Sequence, residues 1–109
     1  MSILNQPNGF LVGFDLSDYP AGAHEAIIAD IKEKYKKNDD ARRILDTTWI
    51  IKAESRSSQD LYNVIRSIIK KHIGKGIFYI TVWKINFSNY WQNMRPNDQK
   101  WFSSKFGIE

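Results

Sequence analysis

Cysteine is absent from this 109-residue chain, and histidine is scarce, being limited to His24 and His72. Without cysteine there can be no disulfide, thiolate-ligated zinc, iron–sulfur cluster or thiol nucleophile. With so little imidazole, a metal site would depend on carboxylate oxygens. Those ligands favour magnesium or manganese.

Long apolar runs are also missing. No stretch of the sequence approaches the roughly 20 apolar residues that a membrane-spanning helix needs. The opening segment, Met-Ser-Ile-Leu-Asn-Gln-Pro, lacks the basic region and apolar core of a signal peptide. We therefore expect a cytoplasmic protein with no membrane partner.

Charged and aromatic residues are plentiful by comparison. Sixteen Lys and Arg against twelve Asp and Glu give a formal net charge of +4, which is compatible with a polyanion partner without requiring one. Six Phe, five Tyr and four Trp make up 14% of the chain. That is a rich supply for the core of one small domain, so we expect some rings at an interface.

Periodicity predicts the order strand, helix, strand, strand, helix, strand. Ser57 or Ser58 is predicted to cap the second helix, which ends at His72 before Gly74. A leader (1–8) is expected before the domain (9–84). A C-terminal extension (85–109) with a strand near Ile85–Phe87 and a short helix is expected to pack on the domain or on a dimer partner. The predicted strands are 10–16, 41–45, 48–53 and 76–84, and the predicted helices are 23–36, 57–72 and 96–106.

This order predicts a ferredoxin-like α+β fold, βαββαβ, in which two helices cover one face of an antiparallel sheet of four or five strands. The other face is predicted to carry Trp49, Tyr79 and Trp83. Such a face is unfavourable in water, so it should bind nucleic acid, pair with a second copy, or be covered by the extension.

Asp15 is the main candidate for specific chemistry, because it closes the apolar strand Gly-Phe-Leu-Val-Gly-Phe-Asp-Leu-Ser. As a metal ligand it would need a second oxygen-rich partner, either Asp18 or Asp15 of a second copy. Alternatively it is structural, capping a loop or pairing with Arg42 or Arg43.

The basic run at the end of the second predicted helix and the two histidines have less specific interpretations. The run Lys70-Lys71-His72 with Lys75 either grips phosphates or is the solvated end of a helix, where cations suit the dipole. His72 has no carboxylate or serine partner at a readable spacing. His24 is expected at the surface or in a helix cap.

The segments Leu-Val-Gly-Phe-Asp-Leu-Ser and Leu45-Asp46-Thr47-Thr48-Trp49-Ile50-Ile51 resemble short bacterial proteins of the SinR family. These in turn resemble the second CRISPR-associated protein, the small adaptation subunit that partners the CRISPR integrase. The resemblance covers about residues 9–83. Downstream of Asp15, this chain has Ser17-Asp18-Tyr19-Pro20 where the adaptation subunits commonly carry arginines.

The resemblance implies a ferredoxin-like homodimer with Asp15 near the dimer axis. In that family, two such carboxylates are proposed to hold one divalent metal, Mg or Mn, for phosphodiester cleavage. Thr48 stands where the family often has a serine beside the acid, so Asp15 and Thr48 are the implied catalytic residues and Asp15 the implied metal ligand.

Two hypotheses follow. The leading one is a nucleic-acid-associated protein of the adaptation-subunit type, for which metal-dependent cleavage of RNA or DNA is left open as an activity. The competing one is a non-catalytic dimer of the same fold that binds another protein or regulates it.

Overall fold

The computed structural model describes residues 8–54, 57–87 and 93–107. Residues 1–7 of the expected leader therefore lie outside the described part. The elements in chain order are β1 (Gly9–Ser17), α1 (Ala23–Lys34), β2 (Ala41–Leu45), β3 (Thr48–Lys52), α2 (Ser58–His72), β4 (Ile77–Lys84) and α3 (Pro96–Phe106).

The strands form one sheet in the order β2-β3-β1-β4, and every neighbouring pair is antiparallel. Each helical connection, β1–α1–β2 and β3–α2–β4, leaves room for one strand between the two that it joins. The predicted ferredoxin-like α+β arrangement is confirmed. No helix in the described part is long and apolar enough to cross a membrane.

The inner face of the sheet, which packs against α1 and α2, carries the main core. On β1, the alternating residues Phe10, Val12 and Phe14 are buried, as strand geometry requires of one face. They meet the apolar stripes of the two helices, namely Ile27 and Ile31 of α1 and Leu61, Ile65 and Ile69 of α2. Burying each such side chain stabilises the fold by about 1.5–3 kcal/mol before the entropy cost.

The ends of α2 are defined as the sequence predicts. The Ser57 hydroxyl accepts a hydrogen bond from the Asp60 backbone N–H at 3.2 Å, which satisfies one of the unpaired donors of the first turn. After the helix, Gly74 adopts φ 60°, a left-handed conformation that glycine tolerates without steric cost. The chain can therefore reverse and enter β4.

The outer face, opposite α1 and α2, is divided into two halves. Over β2 and β3, helix α3 contributes Trp101, Phe102 and Phe106, which form a second core with Ile50. We call this the covered half.

The predicted helix lies at Pro96–Phe106, but the strand expected near Ile85–Phe87 is absent. Just past the end of β4, the Ile85 N–H donates a hydrogen bond to the Gly9 carbonyl at 2.8 Å.

Trp49 does not lie on the outer face, and that prediction was wrong. Its register partner is Val12, and it is 1% exposed in the inner core. The error has a physical cause. Trp49, Ile50 and Ile51 are all buried because both faces of β3 are covered, so the strand reads as a continuous apolar run with no alternation to assign its faces.

Candidate functional site

Helix α3 reaches β1 only at its start, where Phe106 packs against Gly9. The rest of the outer face over β1 and β4, from Leu11 onward on β1, is not covered by α3, and we call it the open half. Tyr79 and Trp83 are 68% and 67% exposed there. Register pairs Tyr79 with Asp15 and Trp83 with Leu11. The open half comprises Leu11, Gly13 and Asp15 of β1 and Ile77, Tyr79, Thr81 and Trp83 of β4.

Asp15 lies within the open half, two residues before the end of β1, and its side chain is exposed. It makes no ion pair with any residue in the described part of the chain. The suggested partners are engaged elsewhere, since Arg42 Nε lies 2.7 Å from Asp98 Oδ1 and Arg43 Nε donates to the Asp46 carbonyl at 2.9 Å. The alternative in which Asp15 pairs with Arg42 or Arg43 is therefore not found among the described residues.

Thr48 shares the outer face with Asp15. It begins β3 and is the register partner of Gly13, which lies two residues before Asp15 on the same face of β1. A side chain at Gly13 would meet the Thr81 hydroxyl at 3.2 Å, so glycine leaves room between the two threonines. Asp18 lies in the exposed turn after β1, with φ 55°.

Metal ligands are not preassembled in the part of one chain that the structure describes. Among residues 8–54, 57–87 and 93–107, no three His, Cys, Asp or Glu side chains cluster closely enough to hold a metal ion. Asp15 itself offers an exposed carboxylate, a ligand that suits magnesium or manganese.

His72 has a carboxylate partner that sequence spacing did not reveal. Its Nε2 lies 2.7 Å from Asp30 Oδ2, and Lys71 Nζ lies 3.3 Å from the same oxygen. Hydrogen bonds from His72 and Lys71 lower the pKa of the Asp30 carboxyl. Asp30 is 42 residues away in α1, so only the packing of α1 against α2 brings the pair together.

His24 is half-buried and makes no helix cap, contrary to expectation. Its ring neighbours those of Phe14 and Tyr19, at centroid distances of 6.3 and 6.5 Å. Its Nε2 is buried and has no hydrogen-bond partner in the described part of the chain.

A basic cleft at the β2 edge was also missed. Arg42, Arg43 and Arg95 line it together with the first turn of α3. The adjacent arginines of β2 were visible in the sequence. The third lies 52 residues beyond Arg43, and nothing in the sequence indicates that α3 packs beside β2.

No protein-family model, curated protein or solved structure matches this chain.

Proposed function

We propose that this chain acts as a homodimer formed through the open half, and that the dimer is a metal-dependent nuclease of the small CRISPR adaptation-subunit type. One observation carries the proposal: the exposed carboxylate of Asp15 lies on a face that also exposes Leu11, Tyr79 and Trp83, and it is opposite Tyr79 in the sheet. A second copy that covers this surface with the two-fold axis near Asp15, as the family resemblance implies, would bring two Asp15 carboxylates together.

The exposed rings support self-association. Tyr79 and Trp83 are the residue types that most often anchor protein interfaces, and they lie on β4, an edge strand of the sheet. Helix α3 already occupies the other half of the outer face. A second copy would cover the remaining half by the isologous contact that two-fold dimers use.

Asp15 and Thr48 have distinct roles in this proposal. The two Asp15 carboxylates would hold one Mg²⁺ or Mn²⁺, which when bound supplies Lewis-acid activation of water and neutralises phosphate charge. The Thr48 hydroxyl, on the same face, would donate a hydrogen bond to a phosphate oxygen and orient the scissile group.

Cleavage of labelled RNA and DNA with magnesium or manganese tests this function. Asp15→Asn keeps the side-chain shape but loses the charge that a hard cation needs, so cleavage should be abolished while the thermal unfolding curve stays unchanged. Glu33→Gln, which removes an exposed carboxylate from α1, is the matched control and should cleave normally. Wild-type protein that cleaves no substrate, or an active Asp15→Asn variant, would refute the proposal.

A second candidate is a non-catalytic dimer that binds or regulates another protein. The two exposed rings favour it, because aromatic anchors are as useful in a protein interface as in base stacking. It predicts binding of a protein partner that is indifferent to metal and only weakly dependent on salt. The nuclease predicts salt-sensitive binding of nucleic acid.

A further inference from the structure

A cleft of about 540 Å³ lies between β2 and the beginning of α3. It is at the β2 edge of the sheet, whereas the open half reaches the β4 edge. Because β2 is an edge strand, the consecutive residues Arg42 and Arg43 both reach it. The lining residues are Arg42, Arg43, Arg95, Pro96, Asn97 and Asp98.

The lining carries more positive than negative charge. Three guanidinium groups face one carboxylate, that of Asp98, which gives a lining charge of +2. Asp98 is 6% exposed and lies 2.7 Å from Arg42 Nε and 3.5 Å from Arg95. It therefore holds Arg42 by a short ion pair and contacts the more exposed Arg95 at longer range, while its single charge neutralises only one of the two.

Arg43 supplies the surplus charge. Its nearest acid, Asp46, lies at 3.7 Å with a side chain that is 98% exposed, so water screens that pair strongly. The Arg43 Nε is held by the Asp46 carbonyl, and that of Arg42 by Asp98. Each guanidinium has five N–H donors, and these bonds use only one of them in each arginine.

The geometry points to a binding site for a phosphate group of a nucleic-acid backbone. Arginine forks bind phosphate oxygens in pairs, and arginines that are already oriented lose less entropy on binding. The first turn of α3 adds the positive end of a helix dipole to the same cleft. This inference rests on the proposed function and identifies where the substrate backbone is held.

Fluorescence anisotropy of a labelled single-stranded oligonucleotide, with metal removed by chelation, tests the site separately from cleavage. Arg43→Glu should weaken binding about tenfold or more. In the double variant Arg43→Gln with Arg95→Gln, the slope of log Kobs against log salt concentration should become less steep by about 0.7 for each lost phosphate contact. Arg66→Glu, an exposed arginine of α2 outside the cleft, is the matched control and should bind within about twofold of wild type.

Thermal unfolding of each variant shows whether it is folded. Arg95 also donates to the Ile44 carbonyl at 2.9 Å, so the Arg43→Glu variant decides the outcome if the double variant unfolds early. Inorganic phosphate and pyrophosphate serve as competitors. A phosphate site is supported if either competitor displaces the oligonucleotide at a concentration at which chloride, an anion without phosphate, does not.

The outcomes separate this site from the nuclease proposal. Cleft-dependent binding without metal-dependent cleavage upholds the site and refutes the nuclease. Equal binding by wild type and Arg43→Glu overturns the site, whether or not cleavage is seen. Wild-type protein that binds pyrophosphate but no oligonucleotide, or that binds neither, overturns the assignment to a nucleic-acid backbone.

Discussion

The covered and open halves of the outer face belong to the same antiparallel sheet, but α3 packs on the first and leaves the second exposed. Over β2 and β3, three rings of α3 surround Ile50, and Phe102 is completely buried. Over β1 and β4, Tyr79 and Trp83 remain two-thirds exposed. The covered half is thus part of the interior of the fold, whereas the open half remains at the surface.

Polar contacts at the rim of the covered half reinforce this difference. Trp101 Nε1 donates to the Asp39 carbonyl at 2.8 Å, and Lys105 Nζ lies 3.2 Å from the Asp40 carboxylate. With the Arg42–Asp98 pair, these contacts connect α3 to β2 and to the turn that precedes it. The covered half therefore has the buried apolar centre and the polar rim that are typical of a packed interface.

The largest effect should come from removing a ring of the covered half. Phe102→Ala leaves a cavity in a closed core and should lower the free energy of unfolding by about 3–5 kcal/mol, measured in urea. Trp83→Ala in the open half should change the stability of the monomer by only about 0.5 kcal/mol. Similar losses from both variants would mean that the two halves do not differ as described.

The next effect concerns association. If a second copy covers the open half, Trp83→Ala removes an anchor and should weaken dimerisation by about 2 kcal/mol, or roughly thirtyfold, in sedimentation equilibrium. Leu45→Ala is the matched control, because Leu45 is 59% exposed but lies at the end of β2, away from the open half. Equal dimer affinity in the two variants would exclude the open half as the interface.

The smallest effect should arise in the helix layer, away from both halves. The folded-state pKa of Asp30 is lowered from its ordinary 3.8, so its contribution to stability is present above that pH and is lost as pH falls through the folded-state value. Asp30→Asn should slightly lower the melting temperature near neutral pH. It should also reduce the further loss of stability on acidification below 3.8. A melting profile that matches wild type at every pH would show that the Asp30–His72 contact contributes nothing.

The elements that depend on local sequence were predictable. The Ser57 cap and the apolar stripe of α2 determine where that helix begins and which face it buries. Phe78, Ile80 and Val82 alternate on β4 because only one face of that strand packs against the helices. Asp15 could be assigned to the strand, but its neighbour Tyr79 follows only from the register of β1 with β4.

What could not be predicted depends on contacts between distant segments. Asp30 meets His72 only through the packing of two helices, and Arg95 joins Arg43 only because α3 folds back beside β2. The face occupied by Trp49 was misassigned because α3 buries the opposite face of the same strand. The sequence pattern records burial, but it does not say which partner causes it.

Native mass spectrometry in the presence of manganese tests the central claim most directly, because one spectrum reports both the mass of the assembly and its metal content. The claim predicts a dimer of twice the 12.8 kDa chain mass that carries one manganese ion. The Asp15→Asn variant should give the same dimer without the metal. A monomer, or an Asp15→Asn dimer that retains its manganese, would contradict the claim that the open half pairs two chains around Asp15.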